Sequence, residues 1–138
     1  VNSKLPESNL KCLDMAGESG RGVAADVRWV CNQAEYEASK DFYDRQEKVY
    51  ITKGAAGIEK RTWTASKSRL VQTQPSVANH VNSVCGAGDV TLAALVVCPD
   101  NYNELMWAMC AAAEAVERPF TGGAERDKVE ARYYDCCR

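Results

Sequence analysis

The chain has 138 residues, 46% hydrophobic and 26% charged, with a formal net charge of −2. That length and balance give one globular domain over residues 1–138 rather than a disordered tail. The charge lacks any basic block, which argues against nucleic acid or an anionic membrane as a partner. Residues 84–116 contain no Lys or Arg. Asp89, Asp100, Glu104 and Glu114 interrupt that stretch, and its apolar runs are too short to span a bilayer, so it reads as buried core helices.

In chain order, Val1-Asn2-Ser3-Lys4 opens like the end of a strand, and periodicity is then lost to residue 22. Val27-Arg28-Trp29-Val30-Cys31 predicts a short strand. Asn32 follows as an N-cap, with Glu35 three positions on completing the outline of a capping box. A helical stretch to about residue 44 carries Ala34, Ala38 and Phe42 at four-residue spacing. Residues 48–52 predict the next strand, ending in the glycine-punctuated turn Lys53-Gly54-Ala55-Ala56-Gly57.

Residues 57–74 alternate apolar and polar side chains and predict two short antiparallel strands, exposed on one face. Residues 77–84 predict a further extended segment. Helices are expected over 87–98 and 101–117, with Pro99 breaking between them and Leu105, Ala108 or Met109, Ala112 and Val116 as the buried stripe of the second. A turn over 118–123 leads to a closing helix over 124–134. Strand, helix, strand, hairpin, strand, helix, helix is the order of an α/β layered domain. Ligands in such sheets lie at the carboxyl ends of the strands, where these glycine turns fall.

Seven cysteines are present, an odd number, without a CxxC pair, and the single histidine, His80, has no zinc-type spacing to any of them. Cys31, Cys85, Cys98 and Cys110 lie in apolar contexts, where a free thiol behaves as a small hydrophobe. Reduced thiols are therefore expected, in the cytoplasm or another reducing compartment. Cys136-Cys137 reads as an exposed pair able to cross-link on oxidation. Trp29, Trp63 and Trp107 read as packing residues, and His80 receives no role.

The most informative motif is Gly86-Ala87-Gly88-Asp89, set directly before the run Val90-Thr91-Leu92-Ala93-Ala94-Leu95. Glycines allow a tight turn and close approach of backbone to a ligand. A helix opening there points free N–H groups and its positive dipole end at an anion. Asp89 stands beside that position as a proton acceptor, the pairing phosphoryl transfer requires. The same residues could equally form a capped turn.

Three elements stand in order: Asn32-Gln33-Ala34-Glu35, Thr52-Lys53-Gly54-Ala55-Ala56-Gly57 and Gly86-Ala87-Gly88-Asp89. The set resembles the carboxy-terminal half of the ribokinase-like (PfkB) carbohydrate kinases, over roughly residues 1–123. The alanine-rich stretch 108–116 and the Glu117-Arg118-Pro119 turn resemble the family's helix and turn near the adenine pocket. Val1-Asn2-Ser3-Lys4 and the context of the glycine loop look closest to the heptose-phosphate kinase branch.

The resemblance implies a ribokinase-like, Rossmann-like α/β sheet with flanking helices, at half length. It implies ATP-dependent phosphoryl transfer to a sugar or sugar-phosphate hydroxyl, with ATP and Mg²⁺. Asp89 would be the catalytic base, and the N–H groups of Gly86, Ala87 and Gly88 the anion hole. Thr52 and Gly54 would hold the nucleotide phosphates, with Gly57 shaping the turn. Asn32 and Glu35 would position Mg²⁺ through water, since magnesium keeps several waters and takes few protein ligands.

The sequence departs from the family pattern in two ways. Members run to about twice this length, because their amino-terminal half supplies most of the sugar site. A missing half, a partner chain or self-association is therefore expected. Ser83 and Cys85 also stand where the family carries an aspartate and a threonine, and Met109 or Cys110 where it carries an asparagine. The competing expectation is a catalytically inactive, kinase-derived structural or interaction module within a larger assembly.

Overall fold

A computed structural model describes residues 28–63, 68–119 and 123–137. The expectation for Val1-Asn2-Ser3-Lys4 lies outside the described residues. Contacts divide the chain into two compact units. The first takes its described residues from Val1–Thr52 and Glu59–Gln72, the second from Lys53–Ile58 and Thr73–Arg138.

The first unit is built on a sheet of four strands in the order β1-β2-β3-β4. These are β1 (Trp29–Asn32), β2 (Lys48–Thr52), β3 (Ile58–Trp63) and β4 (Arg69–Gln74), the last two extending by a residue or two into the second unit. β1 and β2 run parallel, with Trp29 opposite Val49 and Asn32 opposite Thr52. The crossover between them is helical: α1 (Gln33–Ala38) and α2 (Lys40–Tyr43). Alternation along the strands sends Trp29, Cys31, Val49 and Ile51 to one face. There they form a core cluster with Tyr36, Tyr43 and the partly buried Phe42. Val30 and Tyr50, of opposite parity, are buried as well, the pattern of parallel strands covered on both faces.

The helical crossover departs from the expected single helix in two respects. The chain breaks at Ser39 (φ −132°, ψ 38°), whose N–H is shared between the carbonyls of Glu35 and Tyr36. Of the expected apolar stripe only Phe42 packs against the core; Ala34 and Ala38 are exposed, while Tyr36 and Tyr43 are buried. Two tyrosines bury far more surface than two alanines, so the helix turns its aromatic face inward. Tyr36 can be buried because its hydroxyl donates to Asp44 at 2.6 Å.

The second unit is mainly helical: α3 (Ala87–Val97), α4 (Glu104–Glu117) and α5 (Arg126–Cys136). α4 starts at Glu104 rather than 101, because the Asn103 side chain caps it by accepting from the Met106 N–H at 3.0 Å. Trp107, Ala108, Met109, Cys110 and Ala111 are all buried, so α4 is apolar nearly all round rather than along one stripe. Tyr102, Tyr133 and Trp107 stack and abut where α5 meets the start of α4.

Residues 77–84 form no strand. Instead the N–H groups of Asn82 and Ser83 donate to the Val116 carbonyl at 2.7 and 3.2 Å, and the Asn82 side chain donates to the Glu117 carbonyl at 2.6 Å. The open carbonyls at the end of α4 take the place of a strand neighbour. Among the described residues no helix is long and apolar enough to cross a membrane.

Candidate functional site

In the first unit, the carboxyl ends of β1 and β2 bring Asn32, Glu35 and Thr52 together. Asn32 and Thr52 are register partners on adjacent parallel strands. The Asn32 Oδ1 accepts from the Glu35 N–H at 2.7 Å, and the Glu35 Oε1 accepts from the Asn32 N–H at 3.0 Å. The expected capping box is therefore complete. The Thr52 hydroxyl donates to the Cys31 carbonyl at 3.4 Å. Burial, with Glu35 nearby, pushes the Cys31 thiol up to about 12, so it stays a neutral core group beneath these residues.

Among the described residues, no three His, Cys, Asp or Glu side chains gather to hold a metal directly. One carboxylate and one amide oxygen, each already engaged by backbone N–H, suit a hydrated cation held through water better than a bare one. The donor set thus fits magnesium only in the water-mediated way.

In the second unit the turn Gly54–Ala56 is a single 3₁₀ turn. It is closed by the Lys53 N–H on the Gly57 carbonyl at 2.8 Å and the Gly57 N–H on the Gly54 carbonyl at 3.0 Å. Gly54 (φ 57°) and Gly57 (φ 100°) both lie in the left-handed region. They differ in surroundings. A Cβ on Gly57 would stand 2.0 Å from the Gln74 carbonyl oxygen, whereas one on Gly54 would meet nothing within 4 Å. Gly57 is required by packing against Gln74 and Pro75, and the Gly54 side of the turn is open.

Gly86 is the N-cap of α3 and also adopts a left-handed conformation, φ 81°. No side chain caps this helix end, and Asp89 lies exposed in its first turn. The Ala87 N–H donates back to the Val84 carbonyl at 3.3 Å, and the first helical bond runs from the Val90 N–H to the Gly86 carbonyl at 3.1 Å. The remaining first-turn N–H groups, including that of Gly88, point along the helix axis toward the loop. Gly88 is exposed, with open space around its Cα. The loop thus sets an uncapped helix start and an exposed carboxylate side by side.

No family model matches the sequence, and none of the curated proteins compared with it matches. Solved structures do match in fold. Ribokinase from Arabidopsis thaliana, complexed with ribose and ATP, superposes with a TM-score of 0.68 at 17% identity, over 96% of this chain and 54% of that one. A nucleoside kinase from Methanocaldococcus jannaschii, an archaeal member of the ribokinase family, gives 0.66 at 21% identity, over 97% and 55%. Ribokinase from Thermotoga maritima gives 0.66 at 19%, over 95% and 54%. The chain has the ribokinase-like fold. It spans about half the length of these structures.

In this ribokinase-like chain, sequence reasoning missed the residues that hold the approach to the glycine loop. Glu117, at the end of α4, accepts from the Asn79 N–H at 3.4 Å, lies 3.5 Å from His80 Nδ1 and pairs with Arg132 of α5. Arg132 also pairs with Glu114 at 2.9 Å and donates to the Val77 carbonyl at 3.4 Å. Burial works against the charge on Arg132, but its hydrogen bond to Glu114 and the two carboxylates keep the guanidinium raised above its ordinary value. Glu114 and Val77 lie 18 and 55 positions from Arg132, so no local pattern could reveal them. Cys85, read as an apolar position, is exposed, and its N–H donates to the Ser83 hydroxyl at 3.2 Å. The helical layer also holds an apolar cavity of about 230 Å³, lined by Val90, Ala94, Val97, Trp107, Ala111 and Val129 among others.

Proposed function

We propose that this chain is the nucleotide-binding and catalytic-base half of a ribokinase-type carbohydrate kinase. The reaction is transfer of the γ-phosphoryl group of ATP to a sugar or sugar-phosphate hydroxyl. The heptose phosphates are the first substrates to try, given the resemblance at the start of the chain and around the glycine loop. The observation that carries this reading is the uncapped start of α3, where Gly86 turns the chain left-handed and Asp89 stands exposed in the first turn.

In this reading, the amides of Gly86 and Gly88 stabilise charge on the moving phosphoryl group, while that of Ala87, expected to join them, is held by the Val84 carbonyl. Asp89 accepts the proton of the attacking hydroxyl and holds it in line. Thr52 and the open Gly54 side of the turn contact nucleotide phosphates, while Gly57 fixes the shape of that turn. Asn32 and Glu35 would hold Mg²⁺ through its waters, and the ion would neutralise charge on the β- and γ-phosphates. The sugar site comes from a second polypeptide or from another part of the protein, because the chain spans about half of the kinases it superposes on. Orientation of the sugar depends on that part.

The test is reconstitution. The chain is combined with the amino-terminal half of a ribokinase-type kinase, and ATP-dependent phosphorylation of heptose phosphates, ribose and nucleosides is followed. Asp89→Asn is expected to lower turnover by about 10²–10⁴-fold, the usual worth of a positioned base. Turnover unchanged in Asp89→Asn would overturn the mechanism. A reconstituted particle that neither binds nor turns over ATP would favour the interaction-module alternative.

A further inference from the structure

α4 and α5 run antiparallel through a defined register. Arg132 of α5 meets Glu114 of α4, with Nε to Oε1 at 3.0 Å. Tyr133 abuts Trp107, with ring centroids 6.0 Å apart, and its hydroxyl accepts from the Asn103 N–H at 2.8 Å. One turn beyond Arg132 on α5 is Cys136, and one turn before Glu114 on α4 is Cys110. Helices passing in opposite directions bring those two positions face to face. Cys136 is close enough for its sulfur to act electrostatically on the Cys110 thiol. Cys110 is fully buried, whereas Cys136 and Cys137 are exposed. An exposed thiol beside a buried one is a dithiol with one reagent-accessible sulfur.

We propose that Cys110 and Cys136 form a redox-active dithiol that closes to an intramolecular disulfide between α4 and α5, in exchange with a low-molecular-weight disulfide of the glutathione class. The Cys136 thiolate attacks one sulfur of oxidised glutathione, breaks its S–S bond and releases one glutathione thiolate. Cys110 then loses its proton to solvent and attacks the Cys136 sulfur, expelling the second glutathione. Two protein thiols are oxidised by two electrons, and one glutathione disulfide is reduced to two thiols. Burial and the nearby Cys136 hold the Cys110 thiol up to about 12, so the second step is the slow one. The closed disulfide pins the end of α5 to α4, and α4 carries the Glu117 anchor of residues 79–82.

The experiment equilibrates the full chain in glutathione buffers of graded ratio, blocks free thiols with an alkylating agent and maps peptides by mass spectrometry. The expected product is a monomeric species, two hydrogens lighter, with a cross-linked peptide joining Cys110 to Cys136. A mixed disulfide at Cys136 should precede it. Thermal unfolding of the oxidised monomer should rise by roughly 5 °C or more, since the bridge restrains the unfolded chain. Cys136→Ser changes an exposed position and should abolish the cross-link, whereas Cys85→Ser should leave it intact. A Cys136–Cys137 link, dimers joined through Cys136, or a persistent mixed disulfide with Cys110 alkylated only after denaturation would each overturn the proposal.

Discussion

Single residues in this chain divide sharply into those fixed by packing and those open to a ligand. Gly57→Ala combines a positive φ with a contact of 2.0 Å to a backbone oxygen, and neither can relax cheaply. Denaturant unfolding should show a loss of about 3 kcal/mol or more. Gly54→Ala has the same handedness problem but open space, and about 1 kcal/mol is expected. Asn32→Ala removes the cap on Glu35, with an expected cost of about 1 kcal/mol. Its effect on the magnesium dependence of a reconstituted enzyme separates a metal role from a structural one. Thiols follow burial: at pH 8 a brief alkylation should label Cys85, Cys136 and Cys137 and spare Cys31 and Cys110. Labelling of Cys31 at the rate of Cys85 would contradict the core described for the first unit.

At the level of elements, capping and turn signals were legible because they are local. The box at Asn32 and Glu35, the turn over 53–57, the two neighbouring strands within 57–74 and the helix opening at Gly86 all lie where the residues indicate. The errors came from tertiary choices. Periodicity offered Ala34, Ala38 and Phe42 as a face; Phe42 does pack against the core, but Tyr36 and Tyr43 take the place of the alanines because aromatic burial outweighs alanine burial. Residues 77–84 have strand-like composition, but α4 ends with free carbonyls that claim their donors.

The pairing of Arg132 with Glu114 and Glu117 has no local signature at all. Arg132→Met should strip Glu114 of its ion pair and leave Glu117 with only Asn79 and His80, at a cost of about 3 kcal/mol measured by chemical denaturation. Tyr36 adds a pH test. Burial, and then its bond to Asp44, raise its pKa above the ordinary tyrosine value of 10.0. A raised folded value means that its contribution is full below about pH 10. It is lost as pH climbs through the folded pKa. Tyr36→Phe should flatten the alkaline limb of the stability curve.

For the whole molecule, the fold was readable from three ordered motifs, and the length mismatch from the residue count. What stays outside local pattern is how a half-length chain covers its exposed surface. β4 is an end strand of the described sheet, and its Leu70 and Val71 are about half exposed. Val96 and Val97, at the end of α3, are exposed as well. End strands and apolar patches of this kind invite pairing. Light scattering of the chain alone is therefore expected to give a mass above 15.1 kDa, and a co-expressed amino-terminal half should displace that self-association. A strictly monomeric chain that gains nothing from such a partner would count against the split-kinase reading.

The moorings at the end of α4 impose a phase condition on the loop beyond them. Asn82, Ser83 and Asn79 hang from the last turn of a 14-residue helix, and each helical residue advances that turn by about 100°. Removing one residue anywhere in the interior of α4 would swing its final carbonyls a quarter-turn away from the segment they hold. Side-chain replacements along α4 leave that bearing intact. The placement of residues 79–83 is thus set by how many residues α4 contains as much as by which ones.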